Sequence, residues 1–314
     1  LSEIPTLKQL YEDIEKPLIP IVTEMSRCGV RIDRAVLEKL RSTYRAELES
    51  IEKNIFKMAG REFSVSSPKQ LGEVLFDELE LKVAGQKKTA GGQRSTKETE
   101  LEKIRDLHPI VDEVLKYRGL RKLLSTYIEA IPPLLDSEDR LHAEFLQTGA
   151  VTGRMASQNP GLQNIPIRTE QGRAIRNAFI PREGYTLVGL DYSQIELRIA
   201  AILSGDEKLC EIFRSGRDVH TEVASAVMGV EPANVDREMR RRAKIINFGI
   251  LYGMGVNALK TQLGTSIGEA QQYLEDYFQT FSRLKEYLEE TKGFARKNGY
   301  TETLFGRRRQ FPEM

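Results

Sequence analysis

A chain of 314 residues with 40% hydrophobic and 30% charged side chains is long enough to bury more than one core, and its composition excludes a disordered or fibrous protein. No apolar run is long enough to span a bilayer and no signal-peptide pattern is present, although Leu1 suggests that the true start is missing; the lone, widely spaced cysteines are those expected of an intracellular protein. The net charge of +1 hides basic clusters at 85–97, 239–244 and 305–310, which suit a polyanion partner, although any one of them also suits a solvated helix face.

The first third reads as long helices. Asp33 can cap a helix running to Gly60, along which Leu37, Leu40, Tyr44, Leu48, Ile51, Ile55 and Met58 recur at coiled-coil spacing. That seam needs an antiparallel partner, and the preceding segment, 11–27, ended by Gly29, is the expected one. Ser67 and Pro68 open a short helix with Leu71, Val74, Leu75 and Leu79 facing inward. The Gly- and Lys-rich stretch 85–94 has the composition of a mobile loop. Ser95 with Glu98 forms a capping box for further helices, which stop at Pro132 and Pro133. Alternation begins near Arg140, where Leu141, Ala143 and Phe145 form one face of a strand. Residues 177–180 and TLVGL (186–190) are further strands, the latter buried. Helices return at Ser193 and dominate to Asn298, before a hairpin around Phe305 and Gly306. The expected class is α+β, mostly helical: a helical arm, a small sheet and a second helical lobe. The two cysteines, Cys28 and Cys210, match no zinc or redox spacing and read as buried thiols.

Two stretches carry chemistry. The run LVGL ends on Asp191, after which the period changes and Ile195, Ile199, Ile202 and Leu203 share one helical face. A carboxylate at the end of a buried strand is costly unless a cation, a donor or water meets it, which makes Asp191 a metal-ligand or catalytic candidate. RRRAKIINFGILYG (240–253) carries Arg240, Lys244, Phe248 and Tyr252 four residues apart, a stripe drifting about 40° per step around a helix. Ala243, Ile246 and Ile250 fall on the opposite side. Two cations followed by two rings suit a molecule with phosphates at one end and a base at the other; alone, the pattern also fits an amphipathic helix with a cationic rim. His220 has no metal-ligand spacing with His108 or His142. The loop 152–166 combines Arg154 with amides, groups able to read minor-groove acceptors and equally able to form turns.

Together TGR, LQNIP, DYSQIELR, the histidine of GRDVHTE, KxxNFGxxYG and ETLFGRRR stand in the order seen in family A DNA polymerases, the bacterial polymerase I type, and the chain resembles that family over nearly its whole length. The resemblance implies a right-hand architecture, with 1–10 the tail of a preceding exonuclease-like domain, 11–135 the thumb, 136–204 part of the palm and 205–314 the fingers. It implies template-directed addition of dNTPs to a primer 3′-hydroxyl by a monomer using two magnesium ions, manganese being a substitute. Primer-template DNA and dNTPs are the implied partners, with no membrane, and the implied location is cytoplasmic and nucleoid-associated, as in bacteria. Asp191 matches the carboxylate that binds both metals, with the Tyr192 carbonyl as a further ligand. Arg240 and Lys244, with His220, match the residues that hold the triphosphate, and Lys244 also serves the chemistry. Phe248 matches the ring packed on sugar and base, and Tyr252 the ring in the template-base position until the fingers close. Glu196 matches the residue that excludes a 2′-hydroxyl, and Gln194 belongs to the same nucleotide-binding motif. Arg154, Gln163 and Asn164, and in KLLSTY (122–127) Lys122, Ser125 and Thr126, match primer-template contacts, the thumb ones made through phosphates.

The chemistry needs these residue types. One metal lowers the pKa of the 3′-hydroxyl and the other stabilises charge on the leaving pyrophosphate, so a carboxylate fixed near both is required. The family takes a second metal carboxylate from a His-Asp-Glu hairpin. Neither that run nor the family's Pro-Val-Gln-Gly-Thr helix occurs in this sequence, which leaves a non-catalytic primer-template binding module as the alternative reading. No GxxxxGK[ST] run supports a kinase-type nucleotide site.

Overall fold

The computed structural model describes residues 4–82, 85–89, 91–167 and 169–313. The chain divides into two units, Glu15–Val188 and Gly189–Met314, the latter joined by the amino-terminal stretch to Ile14. Among the described residues no helix is long and apolar enough to cross a membrane.

Helix α1 (Pro5–Leu10) precedes α2 (Lys16–Cys28), which ends where Gly29 takes a φ of +58°. A Cβ at Gly29 would lie 2.7 Å from the Leu141 carbonyl oxygen, so this close approach requires glycine. A strand that the periodicity does not announce, β1 (Val30–Ile32), follows. Asp33 then caps α3 (Arg34–Ala59), accepting from the N–H groups of Ala35 and Val36 at 2.9 and 3.2 Å. Ser67 caps α4 (Pro68–Gly72), and Leu71, Val74 and Leu75 are buried as expected.

The expected loop is tied down here, and one local expectation fails. The described residues of 85–94 close into a turn, with Lys88 bridged to Arg94. The buried Glu100 carboxylate pins it, accepting from the Lys87 N–H at 2.9 Å and from Lys103 Nζ at 2.8 Å. No capping box opens α5 (Glu98–Leu101). Lys97 occupies the cap position, and the Ser95 hydroxyl is satisfied nearer home, accepting from the Lys97 N–H at 3.3 Å.

The α3 seam is buried at Leu37, Tyr44, Leu48, Ile51 and Ile55, but its partner is not the preceding helix. α6 (Ile110–Leu123) and the π-helical turn Leu124–Ile128 that extends it lie against α3 instead. Apolar supply decides this. α6 buries Ile110, Val111, Val114, Leu120 and Leu123, each worth roughly 2 kcal/mol, and Tyr117 besides. α2 buries Val22 and leaves Ile19, Ile21 and Met25 exposed.

The alternation at Leu141, Ala143 and Phe145 belongs to two strands. β2 (Arg140–Leu141) pairs antiparallel with β1, Val30 opposite Leu141, whereas β3 (Glu144–Leu146) pairs with β4 (Ala156–Gln158). After α7 (Glu170–Arg176), β5 (Phe179–Ile180) takes the other edge of β1. TLVGL is not a strand. No ladder partner reaches it among the described residues, and Leu187, Val188 and Leu190 are 58%, 73% and 94% exposed. An apolar run becomes a strand only where a neighbouring backbone takes up its N–H and C=O groups.

In the other unit, α8 (Ile195–Ser204) also departs from expectation. It buries Leu197, Ala200, Ala201 and Ser204 and leaves Ile195, Ile199 and Ile202 exposed. Small side chains let α9 (Glu207–Arg214) and the helix Ser282–Asn298 approach closely on that side. The buried Asp206 caps two helices at once, accepting from the Leu209 N–H at 3.1 Å and the Leu284 N–H at 3.2 Å. Around the same core stand α10 (Val219–Met228), α11 (Arg237–Leu251), α12 (Val256–Leu263), α13 (Ile267–Thr280) and α14 (Ser282–Asn298), burying Val223, Ile246, Leu259, Tyr277 and Leu284. β6 (Tyr300–Glu302) and β7 (Arg308–Gln310) form the expected hairpin. At its turn Gly306 has φ +80°, and a Cβ there would lie 2.9 Å from Thr6 Cβ on α1. Neither cysteine is buried: Cys28 is exposed beside Glu24, and Cys210 is half-buried with its Sγ donating to the Ala201 carbonyl.

Candidate active site

Asp236 starts α11 by accepting from the Met239 N–H at 2.7 Å, and Gly253, at φ +72°, ends it by turning Met254 back onto the Gly249 carbonyl. Between these stops Ala243, Ile246 and Ile250 are buried as the period requires. The opposite stripe stays accessible. Arg240 and Lys244 are exposed, Phe248 is half-buried, and Tyr252 is exposed. The rings of Phe248 and Tyr252 stack at 6.4 Å with planes 17° apart. Among the described residues Lys244 makes no ion pair, whereas the Arg240 guanidinium is gripped by Asp218, Nε to Oδ1 at 3.0 Å and Nη2 to Oδ2 at 2.8 Å.

His220 lies inside the lobe, 3% exposed, its ring 5.9 Å from that of Phe248. Asn247 Nδ2 lies 3.0 Å from its Nδ1, a spacing that suits donation from the amide to the neutral ring. Burial pushes the His220 pKa down; Asp218 opposes this, and Arg240 and Lys244 add to it. The side chain therefore braces α10 against α11 from beneath the stripe.

Asp191, Tyr192 and Gln194 precede α8 on an open segment. Gln194 sits at the helix cap position with φ +55° and lends its carbonyl, not its side chain, to the first turn. The Asp191 side chain is exposed and makes no hydrogen bond among the described residues. With the Tyr192 carbonyl it offers hard oxygen donors of the kind Mg²⁺ and Mn²⁺ prefer. Two donors do not complete a shell, and among the described residues no group of three or more His, Cys, Asp or Glu could hold a metal ion. Glu196, on the first turn of α8, accepts a hydrogen bond from the Tyr252 hydroxyl at 2.6 Å. That contact joins the two sequence motifs across the lobe.

The other six expected residues lie in the Glu15–Val188 unit. Lys122, Thr126 and Asn164 line one groove of about 1230 Å³, which runs past Ile51, Tyr127, Gly161 and Pro166. Tyr127 fixes its far wall by donating from Oη to the Asn164 carbonyl at 2.5 Å. Ser125, Gln163 and Arg154 are exposed but outside this lining. The Ser125 hydroxyl donates to the Arg121 carbonyl at 3.0 Å and Gln163 Nε2 to the Met155 carbonyl at 2.8 Å. Asp218 and Asn247 were not foreseen. Asp218 announces itself only as a helix cap, and Asn247 is one letter of a motif whose neighbours draw the attention.

The profile of DNA polymerase family A matches residues 34–314. The chain is 48% identical over 306 residues to the thermostable DNA polymerase I of Thermus thermophilus, covering 97% of this chain and 37% of that protein. It is 45% identical over 319 residues to DNA polymerase I of Deinococcus radiodurans, covering 99% and 33%. Among solved structures it is similar to the POL domain of Pol1 from M. smegmatis, in complex with DNA primer-template and dNTP, with a TM-score of 0.88, 40% identity, and coverage of 97% of this chain and 54% of that one. The chain thus spans a little over a third of the length of the first of these relatives. By its profile, its relatives and its mostly helical fold, the chain belongs to DNA polymerase family A.

Proposed function

We propose that this chain forms the thumb (11–135), part of the palm (136–204) and the fingers (205–314) of a template-directed DNA polymerase, a monomer of the bacterial cytoplasm and nucleoid. The observation that carries the reading is the hydrogen bond between Tyr252 and Glu196, which ties the carboxylate segment to the cation-and-ring stripe of α11. An incoming dNTP lays its phosphates along Arg240 and Lys244 and its sugar and base on Phe248, with His220 bracing that face. Glu196, held by Tyr252, stands where it excludes a 2′-hydroxyl. Asp191 and the Tyr192 carbonyl would hold two divalent ions, magnesium or manganese, which supply an activated primer hydroxyl and charge neutralisation at the leaving pyrophosphate. Lys122, Thr126 and Asn164 hold the primer-template in the α3–α6 groove, with Ser125, Arg154 and Gln163 as further contacts.

A second carboxylate is needed, and the test supplies it. Incorporation of dNTPs on a primed template is compared for this chain and for the chain joined to the carboxy-terminal palm segment of the Thermus thermophilus relative. Incorporation by the joined protein supports the reading. Primer-template binding without incorporation in the joined protein replaces it with a DNA-binding module.

A further inference from the structure

Asp218 stands two residues before the histidine singled out in GRDVHTE, and among the described residues around α11 it is a heavily engaged carboxylate. Its Oδ1 accepts from the Thr221 N–H at 2.8 Å, from the Thr221 hydroxyl at 3.0 Å and from Arg240 Nε, while Oδ2 accepts from Arg240 Nη2. These bonds hold its carboxyl well below the usual carboxylate range, the Arg240 guanidinium first and the Thr221 N–H after it.

We propose that Asp218 is a positioning residue for the incoming nucleotide, gripping one edge of the Arg240 guanidinium so that its Nη1 edge stays aimed at the triphosphate. The inference rests on the function proposed above. An arginine side chain has many rotamers, and a planar fork fixed beforehand loses less of that freedom on binding phosphate. The Nε and Nη2 donors are committed to Asp218, and Nη1 has no hydrogen-bond partner among the described residues. Because Asp218 also caps α10, the guanidinium is referenced to the same helix that carries His220 against Asn247. The Asp218 charge is spread over donors on two helices, so its repulsion of a phosphate is muted while its grip remains. If repulsion dominated instead, removing the charge would tighten nucleotide binding, and the two readings part cleanly.

The experiment measures the affinity of this chain for dATP with Mg²⁺ by calorimetry. Asn is as good an N-cap as Asp, so Asp218→Asn keeps α10 intact while removing the charge. Affinity is expected to fall about tenfold in Asp218→Asn and to change less than about twofold when the same substitution is made in an Arg240→Ala background. Equal or tighter binding by Asp218→Asn, or the same loss in the Arg240→Ala background, overturns the proposal. Should Asp218→Asn fail to fold, Arg240→Lys, which keeps the charge and loses the fork, is expected to show the same weakening, and unchanged affinity there overturns the proposal. A wild-type chain that binds no dATP overturns the proposed function as well; a wild-type chain that binds while the variants match it overturns this inference alone.

Discussion

Along α11 and its cap residue Tyr252 four proposed site residues recur at one spacing, and the buried side of the helix is set by the same period. The groove of the Glu15–Val188 unit is assembled differently. It takes Lys122 and Thr126 from α6 and the turn beyond it, Asn164 from the 3-10 helical turn Leu162–Asn164 after β4, and a wall residue, Ile51, from α3. In the first region a helix already fixes which side chains share a face, so one repeating number locates the site. In the second, packing of distant segments makes the surface, and nearby polar groups there are partly spent on the protein itself, as Ser125 and Gln163 are. A site on one element is readable from spacing, whereas a site between elements is visible only once they have packed.

The largest expected effect lies in neither region but in the segment before α8. Asp191→Ala, made in the chain joined to the palm segment, is expected to lower incorporation roughly a thousandfold while leaving primer-template affinity within about twofold. Equal loss of DNA affinity would make Asp191 a structural carboxylate, against its exposure and lack of hydrogen bonds. The comparison itself is sharpened by paired lysines. Lys244→Ala should raise the dNTP KM about tenfold or more with little change in DNA affinity. Lys122→Ala should do the reverse, weakening primer-template binding a few-fold and lowering its salt slope by about one. If both variants lost DNA affinity alike, the two faces would share one ligand and their contrast would be broken. Glu196→Ala is expected to relax ribonucleotide exclusion about a hundredfold, and Tyr252→Phe, which removes the hydroxyl that holds Glu196, by less. An unchanged preference in Glu196→Ala would remove the gate.

The fold was legible where a signal is local. Asp33 caps α3 and Gly29 ends α2 because caps and stops act within a turn. The α3 seam was readable but its partner was not, since periodicity reports that a face is buried and never by what. TLVGL failed for a related reason: apolar character is necessary for a buried strand, and a ladder partner is what makes it one. The exposed isoleucines of α8 show the same limit, because the lobe buries the small residues beside them. Within the candidate site the proposed residues, buried His220 among them, were picked out by motif, while Asp218 and Asn247, whose partners are other side chains, looked like a cap and a filler.

The smallest effect divides the two regions by pH. His142, in the Glu15–Val188 unit, has Nε2 2.8 Å from Asp136 Oδ2 and Nδ1 3.0 Å from the Ser26 carbonyl. Asp136 first and the Ser26 carbonyl next hold its pKa above the ordinary 6.5, and His142 with the Arg140 N–H draws Asp136 down to about 2. His220 moves the other way because its ring is buried. A histidine whose folded pKa is raised binds its proton more tightly in the native state, so the His142 contribution is complete below about 6.5 and is lost as pH rises through the folded value. For His220 the unfolded chain takes up a proton that the native state resists, so stability falls as pH drops below about 6.5. Imidazole NMR titration is expected to place His142 above His220, and His142→Gln should remove the alkaline loss without touching the acid one. Coincident titrations would mean that the Asp136 pair is open in solution or that water reaches His220. The latter outcome would weaken the brace beneath Phe248 and, with it, the rigid face on which the α11 reading depends.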